Sequence, residues 1–152
     1  MSPAASSFDL PDVNVWLALA HPGHAHHIAA KKYWLNAQSP LVFCRISMQG
    51  FLRLITQKAV MGEATHTTQE AWTIYDAHLS GGRTTFLHES DALEAQTRHI
   101  STQVAFHARD WTDVWLASFA ITAGCRLVSF NNGFEQYGKA GLDFLWLRND
   151  AT

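Results

Sequence analysis

Pro11-Asp12-Val13-Asn14-Val15-Trp16-Leu17-Ala18-Leu19-Ala20-His21-Pro22 decides the fold of this chain. Phe8-Asp9-Leu10-Pro11 is a short apolar segment that runs up to Asp12, as a buried strand would. From Val13 to Ala20 the chain is almost continuously apolar and turns into a helix, which His21-Pro22-Gly23 stops. Asp12 therefore stands at a strand-to-helix junction, with apolar chain on both sides.

Working outward, the same alternation repeats. Residues 24–37 have helical spacing, with Ile28, Ala29, Tyr33 and Trp34 on neighbouring turns. Leu41-Val42-Phe43-Cys44 has the composition of a buried strand. Ser47 is a candidate cap for the next helix, whose apolar face holds Phe51, Leu52, Leu54 and Ile55. Thr67 or Thr68 opens a further helix, and Gly81-Gly82 breaks the chain after it. Thr84 to Leu87 reads as a strand, and Ser90 begins a helical stretch towards His107. Asp110-Trp111-Thr112-Asp113 looks like the start of a central helix that Gly124 ends. Arg126 to Phe130 is a strand, Asn131-Asn132-Gly133 a tight turn, and Phe144 to Leu147 a last strand. Strands separated by helices imply crossover connections, hence a three-layer α/β/α domain around a mostly parallel sheet of about five strands. We expect residues 1–7 to form a disordered lead, 8–148 a single domain and 149–152 a tail.

The bulk numbers agree with one packed domain. The chain has 152 residues, 47% apolar and 16% charged, with six Trp and nine Phe, which is ample for a full core and argues against disorder. The formal net charge of −2 argues against holding nucleic acid by charge alone, so such a role needs a local patch or a bound cation. Cys44 and Cys125 lack CxxC spacing and read as buried thiols of a reducing cytosol. The first residues lack the basic start and long apolar run of a signal peptide, and no stretch nears the roughly 18 apolar residues of a membrane span. A soluble, cytoplasmic protein is expected.

Ligands of a parallel α/β sheet bind beyond the carboxyl ends of its strands. Asp12 follows the first strand and Asn131 and Asn132 the fourth. Asp113 lies in the first turn of the central helix, where backbone N–H groups favour negative charge. Gln49 lies early in the helix after the second strand. Converging carboxylates repel one another and need a cation, and oxygen ligands favour Mg²⁺ or Mn²⁺. Such a site suits phosphodiester hydrolysis. Each residue also has a plain structural alternative: Asp113 as part of a capping pattern with Asp110, Asp12 and Asn131 as turn residues, and Gln49 as a solvated helix position.

Taken in order, these segments resemble the PIN-domain family, and its VapC-type toxins in particular. Pro11 to Pro22 resembles the family's opening motif. Gln49-Gly50-Phe51-Leu52-Arg53-Leu54 resembles the second, Trp111 to Ala117 the third, and Leu127 to Phe134 the fourth. The resemblance implies a metal-dependent endoribonuclease that takes Mg²⁺ or Mn²⁺, acts on RNA, is restrained by a cognate antitoxin protein and forms a homodimer. By position, Asp12 is its first acid and Asp113 its third. Gln49 and Asn131 stand where many relatives carry Glu and Asp, so about two charges remain of about four. An amide keeps a carbonyl oxygen but not the charge, and it does not titrate. A weaker cation site follows, needing more Mg²⁺ or preferring Mn²⁺. Asp110 is a candidate helper. Asn14, Arg45, Arg53 and Thr112 are candidate substrate contacts, with Lys58 near them. Trp16 and Trp111 are candidates for base stacking or for the core. His21, His24, His26 and His27 cluster in sequence, but nothing nearby completes a zinc spacing. A PIN-like domain that binds RNA or a protein without cutting is the rival reading, and a plain α/β binding module is a third.

Overall fold

The computed structural model describes residues 6–103 and 105–149. Five strands form one sheet: β1 (Phe8–Pro11), β2 (Leu41–Phe43), β3 (Thr84–Phe86), β4 (Cys125–Ser129) and β5 (Asp143–Trp146). Their order is β3-β2-β1-β4-β5, and every neighbouring pair is parallel. The helices are α1 (Val13–Ala20), α2 (His27–Asn36), α3 (Arg45–Ile55), α4 (Lys58–Met61), α5 (Thr68–Ser80), α6 (Leu93–Gln103) and α7 (Trp111–Ala123). Short 3-10 segments cover Gly62–Ala64 and Ala108–Asp110, and a longer one covers Asn132–Ala140.

Strand side chains alternate between faces, and β2 shows the result. Leu41 and Phe43 enter one core cluster with Trp16, Phe51, Ile55 and Tyr75, from α1, α3 and α5. Val42 and Cys44 enter the other with Ile100, Val114, Ala117, Phe119 and Phe134. The sheet is thus covered on both faces, which makes the expected three layers. α7 buries Leu116 to Ala120 consecutively because it packs against both α6 and the sheet. Gly124 closes α7 at φ 71°, a conformation that a side chain would strain.

The β1–β4 pair carries a buried ion pair. Asp9 and Arg126 are direct partners across the two strands. Arg126 donates Nε and Nη2 to the Asp9 carboxylate at 3.1 and 2.9 Å, and Tyr33 of α2 donates its hydroxyl at 2.6 Å. Asp9 therefore has three charge-assisted or neutral donors in the interior, which offsets its loss of water.

Several boundaries differ from expectation. α2 starts at His27, because residues 24–26 form a turn in which the His26 N–H donates to His24 Nδ1. Ser47 does not precede α3. It sits in its first turn and accepts a hydrogen bond from the Cys44 N–H, so Cys44 is the residue at the cap. The helix expected from Ser90 runs only over Leu93–Gln103. Of the lead expected over 1–7, residues 1–5 lie outside the described ones, whereas Ser6 and Ser7 hydrogen-bond to Asp143 and Gly124. Of the expected tail, 150–152 lie outside, and Asn149 bonds the Ala25 carbonyl. Both cysteines are buried free thiols. Among the described residues no helix is long and apolar enough to cross a membrane.

Candidate active site at the carboxyl edge of the sheet

The chain leaves β1 at Asp12 and enters α1 at once. Asp12 is the N-cap of α1: its backbone is extended, and its Oδ1 accepts the Val13 N–H at 2.7 Å. Its Oδ2 accepts the hydroxyl of Ser129, the last residue of β4, at 2.8 Å. Ser129 is fully buried and fully used. It donates to Asp12 and accepts from Asn14 Nδ2 at 3.1 Å and from the Asn131 N–H at 3.0 Å. Asn14 also accepts from the Phe130 N–H through Oδ1 at 3.4 Å. These bonds clamp the ends of β1 and β4 and fix the carboxylate of Asp12 between them.

Asp113 projects from the first turn of α7, half-buried. Burial, then the charges of Asp12 and Asp110, push its carboxyl up to about 6. Burial also raises Asp12, against the lowering effect of its bonds to Ser129 and Val13. The charges of Asp12 and Asp110 thus bear on Asp113, and among the described residues no basic side chain contributes to either shift. A site that concentrates negative charge without a balancing residue fits a cation, and a donor set of oxygens fits a hard divalent one. Asp12 and Asp113 are the residues that would hold it. Among the described residues no group of three or more His, Cys, Asp or Glu side chains is close enough to hold a metal ion.

The other expected site residues are placed differently. Gln49 is exposed on α3. Its helix is held against α1 by Gly50, where a Cβ would lie 2.7 Å from Val13 Cγ2. Asn131 caps the 3-10 segment, its Oδ1 accepting the Gly133 N–H at 3.0 Å, so that oxygen already has a backbone partner. Asn14 is bound to Ser129 and Phe130 as described. Thr112 is exposed beside Asp113. Arg45 pairs with Glu89 at 3.5 Å and lies over the Phe86 ring, at the β2–β3 end of the edge. Arg53 is exposed in the last turn of α3. Asp110 accepts the His107 N–H at 3.0 Å, which caps the 3-10 turn before α7 rather than α7 itself. Trp16 is excluded from base stacking: it is fully buried and stacked on Phe43 at 4.0 Å. Trp111 is 56% exposed and packs edge-on against Phe106. In the histidine cluster, His24 Nδ1 and His27 Nδ1 are bonded to backbone, and His26 stacks on Phe130 at 4.3 Å, so the four rings do not share a centre.

Two residues were missed. Ser129 is the hinge of the whole clamp, and its only sequence signal is a small polar residue ending an apolar strand. Tyr137, buried on the 3-10 segment, has its phenol pushed up to about 12 by burial and by the charges of Asp110 and Asp113, which places it beside the acids.

The comparisons with known proteins agree with this architecture. The PIN domain matches residues 10–140. Ribonuclease VapC41 of Mycobacterium tuberculosis is 41% identical over 143 residues, which is 90% of this chain and 97% of that protein. Ribonuclease VapC39 of the same organism is 31% identical over 134 residues, 88% of this chain and 95% of that one. Among solved structures, M. tuberculosis VapC20, described as a Sarcin-Ricin loop cleaving toxin, has a TM-score of 0.63 at 17% identity, over 90% of this chain and 96% of its own. VapBC2 from Rickettsia felis, solved bound to a DNA fragment from its promoter, has a TM-score of 0.60 at 12% identity, over 93% and 99%. At such identities the two structures speak for the fold alone. The chain belongs to the PIN-domain family and, within it, to the VapC ribonucleases.

Proposed function

We propose that the protein is a metal-dependent endoribonuclease, the toxin of a toxin–antitoxin pair, acting in the cytoplasm as a homodimer and restrained by a cognate antitoxin protein. The observation that carries this is at the carboxyl edge, where the charge of Asp12 adds to burial in raising the cost of charge on Asp113. The names of the VapC relatives supply the substrate class, RNA.

In this reading Asp12 and Asp113 hold Mg²⁺ or Mn²⁺. When bound, such a cation neutralises the pair and stabilises the charge that builds on the scissile phosphate. Asp12, fixed by Ser129 and the Val13 N–H, sets the geometry. Gln49 and Asn131 do not titrate, so the proton of the attacking water has only carboxylates to go to. Asp12 and Asp113 are the candidates to take it. Water adds to phosphorus, the bond to the leaving oxygen breaks, and a proton returns to that oxygen. Thr112 and Asn14 border the reacting phosphate, and Arg45 and Arg53 act further along the RNA. With two carboxylates where many relatives have four acids, the cation is held weakly.

The test is cleavage of a labelled single-stranded RNA by the wild type, Asp12→Asn and Asp113→Asn, with Mg²⁺, Mn²⁺ or EDTA. Cleavage by the wild type alone, dependent on cation and stronger in Mn²⁺ at low concentration, is expected. Equal behaviour of the three proteins, or cleavage in EDTA, would overturn the proposal.

A further inference from the structure

A groove of about 940 Å³ runs between α2 and the β4–β5 side of the sheet, from Arg148 at the carboxyl edge to Arg126 and Asp143 at the amino ends of the strands. Ala25, Ile28, Ala29 and Lys32 of the α2 side face Trp146, Leu147 and Arg148 across it. Four observations bear on what it holds.

The first is charge. Lys32, Arg126 and Arg148 line the groove, in a chain whose net charge is −2. The acids there are Asp9 and Asp143. Asp9 is neutralised by Arg126. Asp143 lies at the opposite strand end, where it accepts the Ser6 hydroxyl. Lys32, midway along α2, and Arg148, just past the carboxyl end of β5, are both exposed and form no ion pair among the described residues.

The second is an aromatic and guanidinium surface. The Arg148 guanidinium lies 4.5 Å from the centroid of the Trp146 ring, and Arg148 is exposed. Planar cations and indoles are surfaces on which unpaired bases stack.

The third is continuity with the candidate site. Trp146 donates its indole N–H to the Phe130 carbonyl at 3.1 Å. The Phe130 N–H is bound by Asn14, and the residue before it, Ser129, holds Asp12. The edge thus runs without a break from Asp12 through Phe130 to Trp146 and Arg148. His26, stacked on Phe130, and Asn149, bonded to Ala25, brace the groove mouth.

The fourth is that α2 contributes little to the core. Ala30 is its only buried residue, and Ile28 is 83% exposed, so the groove wall is open to a ligand.

We infer that this groove is a substrate subsite, in which single-stranded RNA flanking the cleaved bond is held by Lys32 and Arg148 and stacked at Trp146. The inference rests on the ribonuclease reading and names where the substrate lies. Phosphates engage the two free cations, and a base lies against the Arg148–Trp146 surface. Recognition of this kind is tolerant of sequence and dependent on salt.

The experiment separates binding from cleavage. A fluorescent single-stranded RNA 12-mer is titrated with the full chain in EDTA, where no cleavage is expected, for the wild type, Lys32→Ala, Arg148→Ala and the double variant. The double variant should bind about tenfold more weakly, and its affinity should depend less on salt, the log–log slope falling by about 1.4 for two phosphate contacts on a single strand. Melting temperatures should match the wild type, since both side chains are outside the core. With cation added, KM for the 12-mer should rise with kcat unchanged, while a dinucleotide that ends at the site should be cut equally by all four proteins.

Unchanged RNA affinity and salt slope in the double variant overturn the inference. So does unchanged RNA affinity combined with a loss of self-association or of antitoxin binding, which would make the groove a protein seat. If the wild type binds RNA through Lys32 and Arg148 but never cleaves it, the subsite stands and the ribonuclease reading falls. If it cleaves RNA but the groove variants bind as it does, the reverse holds.

Discussion

The two halves of the candidate site are built on opposite principles. The β1–β4 half is saturated at Ser129, whose hydroxyl donates to Asp12 and accepts from Asn14 and the Asn131 N–H, while Asn14 holds the backbone of Phe130. The α7 half is unsaturated: the charges of Asp12 and Asp110 bear on Asp113, and no basic side chain among the described residues offsets them. The first half supplies rigidity, because any displacement breaks several bonds together. The second supplies driving force, because its charge is relieved only by a proton or a cation. A binding site for a metal and an anionic substrate needs both, since position without unmet charge has little affinity and unmet charge without position has no specificity.

Asp113→Asn separates the halves most strongly. Cleavage of RNA should fall by about a thousandfold or more, while the cation-free protein becomes more stable at neutral pH. The sign follows from the raised carboxyl. Between its ordinary value of 3.8 and about 6, folded protein binds more protons than unfolded protein, so stability falls as pH rises through that window. The amide removes this loss. Its stabilising effect should be full above pH 6 and vanish towards pH 4, which thermal melts across pH will show. A neutral or destabilising effect at pH 7 would mean that the charge is answered.

Ser129→Ala attacks the saturated half. It leaves the Asn14 amide and the Asn131 N–H without this acceptor and Asp12 with only the Val13 N–H as donor, at a part-buried site. Loss of about 1–3 kcal/mol is expected by denaturant titration, together with lower kcat, because Asp12 is no longer held. Wild-type stability in this variant would show that the clamp is incidental.

Gly50→Ala tests how the halves reach the second motif. The new methyl would meet Val13 at 2.7 Å, in the first turn of α1. We expect a cost of about 1–2 kcal/mol, despite the better helix propensity of Ala, and a larger drop in activity than in stability because Asp12 adjoins Val13. Gln49→Glu is the mildest change. It adds a carboxylate at an exposed position of α3 where many relatives carry Glu, and calorimetry should show Mn²⁺ bound several-fold more tightly with the fold unaltered.

Much of this was legible because it depends on local chemistry. Pro11-Asp12 between two apolar stretches marks a strand-to-helix junction, and α1 begins at Val13 as expected. The apolar block after Asp113 marked α7 as central, and Gly124 marked its end. What stayed hidden depends on partners distant in the chain. Ser129 acquires its role from Asp12 and Asn14, more than a hundred positions away. Asp110 has the spacing of a cap for α7, yet the turn before that helix claims its carboxylate. Asn131-Asn132-Gly133 announced a turn correctly, but its continuation as a 3-10 segment to Ala140 has no periodic signature, and Tyr137 was lost with it. The side chains of Gln49 and Asn131 carry no charge to betray their position. Their places after the second and fourth strands, and then the order of the motifs, singled them out.

The contact between Val13 and Gly50 has a consequence for how such chains diverge. The space between the first turn of α1 and the middle of α3 has room for one branched side chain and no more. Positions 13 and 50 therefore share a fixed volume: a lineage that enlarges one must shrink the other. Val13→Ala, harmful alone, should rescue Gly50→Ala, and the two sites should drift through evolution as a coupled pair.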